Sequence, residues 1–262
     1  MSASPDPGAR TDRSVRWPRD PRVLSVLVVV GGLLTAELAT RTGVVGTLVL
    51  APPSRIAGEL IAAVQRPRVR ADIARTLARI IVAFVLATTV ATALSLLFWR
   101  YRTLRRAYLP TLGALFGTPI SLLYLVFVAL LGRGDAAIVA ISVPLGAIPM
   151  VITTTRALTS VDQQFIDVAR NFAASKRQIV RRVVLPAAAP NVFAGLRLGL
   201  TFVVIEVLAV EFLLVINVGL GGLISDAYFR FRTTRMWVGI CLVVMIVVTL
   251  ITAVTRVERW VR

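Results

Sequence analysis

The sequence predicts an all-α polytopic membrane protein of about six transmembrane helices, and three observations carry that prediction. The residues are 57% hydrophobic and only 16% charged, with a mean hydropathy of +0.81, the composition of a chain that lies mostly in lipid. Apolar runs recur along the chain, each long enough to cross the hydrocarbon at about 1.5 Å per helical residue. The basic residues gather in short clusters between those runs, as topology-setting and lipid-contacting charges do.

Taken in order, residues 1–22 hold Pro5, Pro7, Gly8, Pro18, Pro21 and five arginines, and read as a disordered cytoplasmic tail. Residues 23–78 form the first membrane helix and an outer or interfacial segment. The first span, Val23 to Thr40, reads as an uncleaved signal anchor with Glu37 at the interface. Pro52 and Pro53 make a turn, and Ser54 is placed to cap a helix that runs through Gln65. The second span is Ile80 to Trp99, and the cluster Trp99 to Arg106 is a cytoplasmic signal with an aromatic belt. The third span is Leu109 to Leu131. Gly117, Thr118 and Pro119 interrupt it, either as a break that opens backbone toward a cavity or as a proline kink. The fourth span is Ala136 to Thr155, the fifth Ala187 to Ile216 and the sixth Met236 to Val254, with an outer re-entrant or interfacial segment from Asn217 to Arg235. Six spans put both termini on one side. The arginine balance makes that side cytoplasmic, although Arg66, Arg68, Arg70, Arg75 and Arg79 dilute it.

Several function classes are excluded. The net charge of +17 would suit nucleic acid, but it is dispersed among apolar runs instead of forming one basic face. Lys176 is the one lysine, and it lies between Ser175 and Arg177, so there is no phosphate-binding Gly-Lys-Ser/Thr loop. The chain has no histidine, which removes Ser-His-Asp chemistry and histidine metal sites. Its one cysteine, Cys241, sits in an apolar run and has no partner for an internal disulfide.

Ser160 to Pro186, SVDQQFIDVARNFAASKRQIVRRVVLP, is the longest charged amphipathic stretch between apolar spans. It predicts two short helices with a corner. Ser160 with Gln163, and Ser175 with Gln178, have capping-box spacing. Phe165, Ala169, Phe172 and Ala173 share one helical face, opposite Gln163, Asp167 and Arg170. Pro186, which has no amide to donate, is expected to end the second helix. On pattern alone the segment can also be a solvated amphipathic loop or a helix lying on anionic lipid.

DVARNFAAS followed by VVLP resembles the EAA cytoplasmic loop of binding-protein-dependent ABC importer permeases. That pattern is EAA, three residues, Gly, nine residues, Ile-x-Leu-Pro. Asp167 stands at its Glu, Val168 and Ala169 at its alanines, Val183 at its Ile, and Leu185 and Pro186 at its close. Ala173 replaces the usual Gly, and an alanine fits an ordinary helix there better than a left-handed turn. NVGLGGLI from Asn217 and APPSRIAGELI from Ala51 are similar to stretches of the nitrate, sulfonate, taurine and bicarbonate branch.

The resemblance implies a type I importer permease fold, with residues 79–262 as the core and 160–186 as the coupling loop. It implies a multi-pass subunit of the bacterial inner membrane that carries a small organic or inorganic anion. The implied partners are two ATP-binding subunits, a second permease copy and an extracytoplasmic solute-binding protein, besides membrane lipid. It implies no cofactor on this chain, with ATP and Mg on the partners, and no enzymatic activity. Asp167, Ala169, Arg170, Phe172, Ala173 and Ala174 would dock on the ATPase, with Lys176 and Arg177 on its acidic groups or on lipid. Glu211 matches a Glu that the family often carries, with a structural role toward the following loop or a pathway role. Glu206 has no such counterpart. It and Glu211 stand about 140° apart on a helix, so they do not share a face, and a carboxylate at membrane depth faces protein or water. The remaining pathway candidates are Thr118, Ser121, Tyr124, Ser142 and Asn217. Arg197 is expected to snorkel to the interface. The competing function is a stand-alone secondary transporter or channel that uses Glu206 for ion coupling.

Overall fold

Side-chain periodicity sets which faces of the helices meet. The computed structural model describes residues 21–214 and 219–261, and among these every regular element is helical. Of the expected tail, residues 1–22, only the last two are described, and they already belong to α1 (Pro21–Arg41). Next come α2 (Pro53–Gln65) and α3 (Pro67–Arg100). On α3, Asp72, Thr76, Ile80, Ala83, Ala87, Ala91, Ser95 and Phe98 recur every three or four residues, and all are buried. That stripe faces α6 (Asp135–Thr159) and α9 (Leu185–Leu214). α6 and α9 cross closely because glycines oppose each other. A Cβ on Gly199 would lie 2.7 Å from the Gly146 carbonyl oxygen.

The chain crosses once more between α3 and α6. α4 (Arg102–Phe116) and α5 (Tyr124–Leu131, preceded by a 3-10 turn at Ile120–Leu123) are bent by 82° at Gly117–Pro119. The sequence left a break and a kink as alternatives; the structure has a break. The third span also begins earlier than Leu109, at Arg102. Contacts fix the direction of travel. Arg79 pairs with Asp135, the first residue of α6, and the Ser95 hydroxyl donates to the Val151 carbonyl, so α3 and α6 run parallel. Parallel neighbours require the bent pair to carry the chain back across. Counting that pair, the described residues hold six spans.

α8 (Lys176–Ile179), a π turn at Val180–Val184 and α9 form one helix from Lys176 to Leu214. Pro186 therefore does not end the second loop helix. The π turn, ending at Val184 directly before α9, widens the backbone so that the Leu185 amide bonds the Val180 carbonyl just ahead of Pro186. α10 (Leu220–Phe229) folds back into the protein with Leu220, Gly221, Gly222, Ser225 and Ala227 buried, and α11 (Thr233–Val261) returns across. α9 and α11 are antiparallel, because Arg197 pairs with Glu258. That contact replaces the snorkelling expected of Arg197. Glu37, expected at the interface, accepts from both the Ser54 amide (2.9 Å) and hydroxyl (2.7 Å). Ser54 thus ties α1 to α2, while Pro52 takes the cap position. The second span also starts at Pro67 instead of Ile80, since Asp72, Thr76 and Arg79 are consumed by contacts inside the protein.

Those contacts close the end of the bundle remote from Ser160. Arg79 Nη1 lies 2.6 Å from Glu211 Oε1, and both residues are buried. Glu211 also accepts from Thr76 (2.9 Å) and from the Gly221 amide (2.9 Å). Thr76 accepts from the Leu220 amide, and Asp72 accepts from the Gly219 amide at 3.0 Å. Gly219 sits at φ +94 with its Cα against the carboxylate, where a Cβ would lie 2.6 Å from Oε1. Truncating Glu211 to Ala removes the buried carboxylate that faces the buried Arg79 guanidinium, and is expected to cost about 3–5 kcal/mol. The double variant Arg79→Met/Glu211→Leu should recover much of that loss. Thermal midpoints of the purified chain test this, and a Glu211→Ala midpoint equal to that of Glu59→Ala would contradict it.

Candidate functional site

The segment between α6 and α9 projects from the bundle on a rigid base. α6 extends to Thr159, so the Ser160 amide bonds the Arg156 carbonyl at 2.9 Å and Ser160 closes that helix. The cap expected at Ser160 falls instead to Asp162, which accepts from the Gln164 amide at 2.9 Å and starts α7 (Gln163–Asn171). The second cap is as read from the sequence. The Ser175 hydroxyl accepts from the Gln178 amide, and the Gln178 side chain accepts from the Ser175 amide at 2.7 Å.

Ala173 is not in an ordinary helix. Its φ is +54. The Ala173 amide bonds the Arg170 carbonyl (2.8 Å) and the Ala174 amide bonds the Ala169 carbonyl (3.1 Å). This pair of bonds is a Schellman corner, which requires a left-handed residue. The family pattern places its glycine at this position, and the alanine adopts the conformation at a steric cost.

The faces of α7 also differ from the expected division. Ile166, Ala169 and Ala174 pack on a small core of Ala157, Leu158, Ile179, Val184 and Ala188. Phe165, Val168 and Phe172 point outward, with Phe172 82% exposed. Spacings of three and four residues put these three on one stripe. Ala169 and Ala174 therefore support the segment from within, and Phe165 and Val168 join its outer surface. Asp167 is exposed and accepts from Gln163 and Arg170, both at 3.1 Å. Arg170, Lys176 and Arg177 are exposed around the corner.

Of the other named residues, the structure brings two together. The Ser121 hydroxyl, on the 3-10 turn after the break, donates to Glu206 Oε2 at 2.5 Å. Glu206 is fully buried, and its Oε1 has no partner among the described residues. Thr118 donates to its own Leu115 carbonyl at 2.6 Å on the exposed side of the break. Tyr124 is half-buried against the main core. Ser142 is fully buried and donates to the Ile138 carbonyl at 2.7 Å. Glu211 belongs to the Arg79 network and bonds the α10 backbone. Asn217 lies outside the described residues. Sequence reasoning missed Asp72, Thr76, Arg79 and Asp135, although the first three share the buried stripe of α3.

The sequence profile of the family described as "Binding-protein-dependent transport system inner membrane component" matches residues 83–262. The chain is 29% identical over 158 residues to the riboflavin transport system permease protein RibX of Chloroflexus aurantiacus, covering 60% of this chain and 59% of that one. It is 32% identical over 154 residues to the nitrate import permease protein NrtB of Synechocystis, covering 58% and 55%. It is 29% identical over 113 residues to the bicarbonate transport system permease protein CmpB of Synechococcus elongatus, covering 43% and 41%. The chain thus spans about half the length of these relatives. Among solved structures, an inward-facing form of the MetNI methionine ABC transporter aligns with a TM-score of 0.61 at 21% identity, over 72% of this chain and 93% of that one.

Replacing Ala173 with Gly removes the left-handed penalty and is expected to stabilise the corner by about 1 kcal/mol. Amide exchange of residues 171–176 should slow in A173G. Unchanged or faster exchange would contradict the strained corner.

Proposed function

Because the chain belongs to the family of binding-protein-dependent transport system inner membrane components, and has the type I ABC importer permease fold, we propose that it is the permease subunit of an ATP-driven importer. In this reading two permease copies, or this chain and a second permease, form the pathway. Two separate ATP-binding subunits dock on segment 160–186 in the cytoplasm, and a solute-binding protein delivers solute outside. Both ends of the described chain then face the cytoplasm, and ATP and Mg are held by the partners. The relatives' names include nitrate, bicarbonate, riboflavin and formylaminopyrimidine, and with the branch resemblance they favour a small solute, an anion such as nitrate, bicarbonate, a sulfonate or an aromatic acid.

The observation that carries the proposal is the exposed stripe of Phe165, Val168 and Phe172 on a helix held to a span without a flexible joint. Large apolar side chains so exposed, on a segment outside the spans, fit a protein groove better than water. Asp167, Arg170, Ala173, Lys176 and Arg177 surround the stripe and supply its polar rim, with Ala169 and Ala174 beneath it. A corner pushed at α7 moves α8, and α8 is continuous with α9, so force reaches the far end of the span. The break at Gly117–Pro119, with Thr118 and Tyr124 beside it, is the place where the span opens to solute. Ser142 and Glu211 take packing roles instead.

A second reading, ion-coupled transport without a motor, draws on Glu206 and its unpartnered oxygen. Glu206→Gln separates the two: it abolishes proton-dependent uptake under the second reading and leaves ATPase association intact under the first.

Tagged purification from native membranes should recover two ATPase subunits per two permeases. Val168→Arg/Phe172→Arg changes two exposed side chains, and should cut that association more than roughly 30-fold. Recovery of the wild-type chain alone, or undiminished recovery with the variant, would overturn the proposal.

A further inference from the structure

A cleft of about 490 Å³ opens between α4 and α6, at the end of the bundle that carries α7. Its charge is confined to the mouth, where Arg105, Arg106 and Arg156 stand. Its floor is Leu109, Pro110, Gly113 and Ile152. From Arg105 to Gly113 the wall of α4 descends about 12 Å, so a charged rim leads into an apolar groove. None of the three arginines makes an ion pair among the described residues. Neither helix offers one: no Asp or Glu occurs between Trp99 and Gly134 or between Ala136 and Val161. Tyr101 and Tyr108, both half-exposed, bracket Arg105 and Arg106 along α4, with Arg100 stacked 5.2 Å from the Tyr101 ring. Such a girdle marks the headgroup layer of a bilayer.

We infer that this cleft holds an anionic phospholipid, its phosphate on Arg105, Arg106 and Arg156 and an acyl chain on the Leu109–Gly113–Ile152 floor. Three guanidinium groups without ion pairs lining one cleft attract an oxyanion. The apolar floor selects a lipid over a free ion, because a small anion would leave it empty. The floor lies on two helices long and apolar enough to cross a membrane, counting α4 with α5, which favours a lipid over a soluble protein. The lipid bridges α4 to the last turns of α6, four residues before Ser160 begins the projecting segment. It therefore steadies the base of that segment. The assignment to the cytoplasmic leaflet rests on the orientation proposed above; the site itself does not.

The test is lipid retention by the full-length chain, purified in neutral detergent, delipidated and titrated with phosphatidylglycerol or phosphatidylcholine. Native mass spectrometry counts the bound lipid. Phosphatidylglycerol should be retained in preference, and Arg105→Gln/Arg156→Gln should weaken its retention roughly 30-fold. Ile152→Trp, which fills the floor and leaves every charge in place, should weaken it as well. Arg230→Gln/Arg232→Gln, at the opposite end of the bundle, should not. Equal retention of both lipids overturns the inference, as does retention unaffected by Arg105→Gln/Arg156→Gln. Full displacement by millimolar inorganic phosphate shows that only charge is recognised and overturns the lipid assignment. A change of oligomeric state without a change in lipid count assigns the cleft to a partner chain instead. No readout involves transport, so failure here is separate from failure of the importer reading.

Discussion

An arginine inside a membrane bundle must find negative charge, and Arg79 finds it on two helices at once. Its bonds to Glu211 and Asp135 fix the N-terminal half of α3 against α9 and α6. Glu211 and Thr76 then have acceptor capacity left for the first amides of α10, which in a short helix would otherwise lack partners. That is why α10 folds inward instead of lying on the surface. It is also why a side chain at Gly219 would strike the Glu211 carboxylate, and one at Gly221 would strike the Glu211 Cβ and the backbone of α9. A buried pair of this kind adds little net stability, since desolvation consumes most of its attraction. Its consequence is specificity: four elements have one mutual arrangement that leaves no charge alone.

The same helix that is pinned by Glu211 at one end begins in the projecting segment at the other. Between Lys176 and Leu214 the helix stays continuous through the π turn, Pro186 and the interior Pro190. Glu206 lies about 7.5 Å along the helix from Glu211 and holds the turn after the α4–α5 break through Ser121. A displacement entering at α8 thus reaches the broken helix and the Arg79 network through one body. The Schellman corner and the capping box serve the same end, since both replace a flexible joint with satisfied amides.

Hydropathy made the spans legible, because lipid imposes length and composition on each one. The Ser175 cap was legible because it depends on two residues three apart. The corner at Ala173 was not, since alanine carries no local preference for a left-handed turn; only the motif's glycine position signalled it. Pro186 was read as a stop because a π turn has no sequence signature beyond the proline it accommodates. The Arg79 network stayed hidden for a different reason. Arginines near a span were weighed as topology charges, whereas the spacing of Asp72, Thr76, Arg79, Ala83 and Ala87 already placed Arg79 on the stripe that meets other helices. Treating α7 as one apolar face merged two surfaces, because Ala169 and Phe172 differ in size and only the larger projects past the supporting core.

The claim on which this account most depends is that the start of the α8–α9 helix in the projecting segment and the fifth span move as one rod. In a Cys241→Ser background, spin labels at Arg177 and Leu213 lie 36 residues apart, about 54 Å along a continuous helix. Pulsed dipolar spectroscopy on the assembled complex should show one narrow distance near that value, unchanged by a non-hydrolysable ATP analogue. A broad distribution, or a shortening by several ångströms when nucleotide binds, would show a joint near Pro186 and contradict the account.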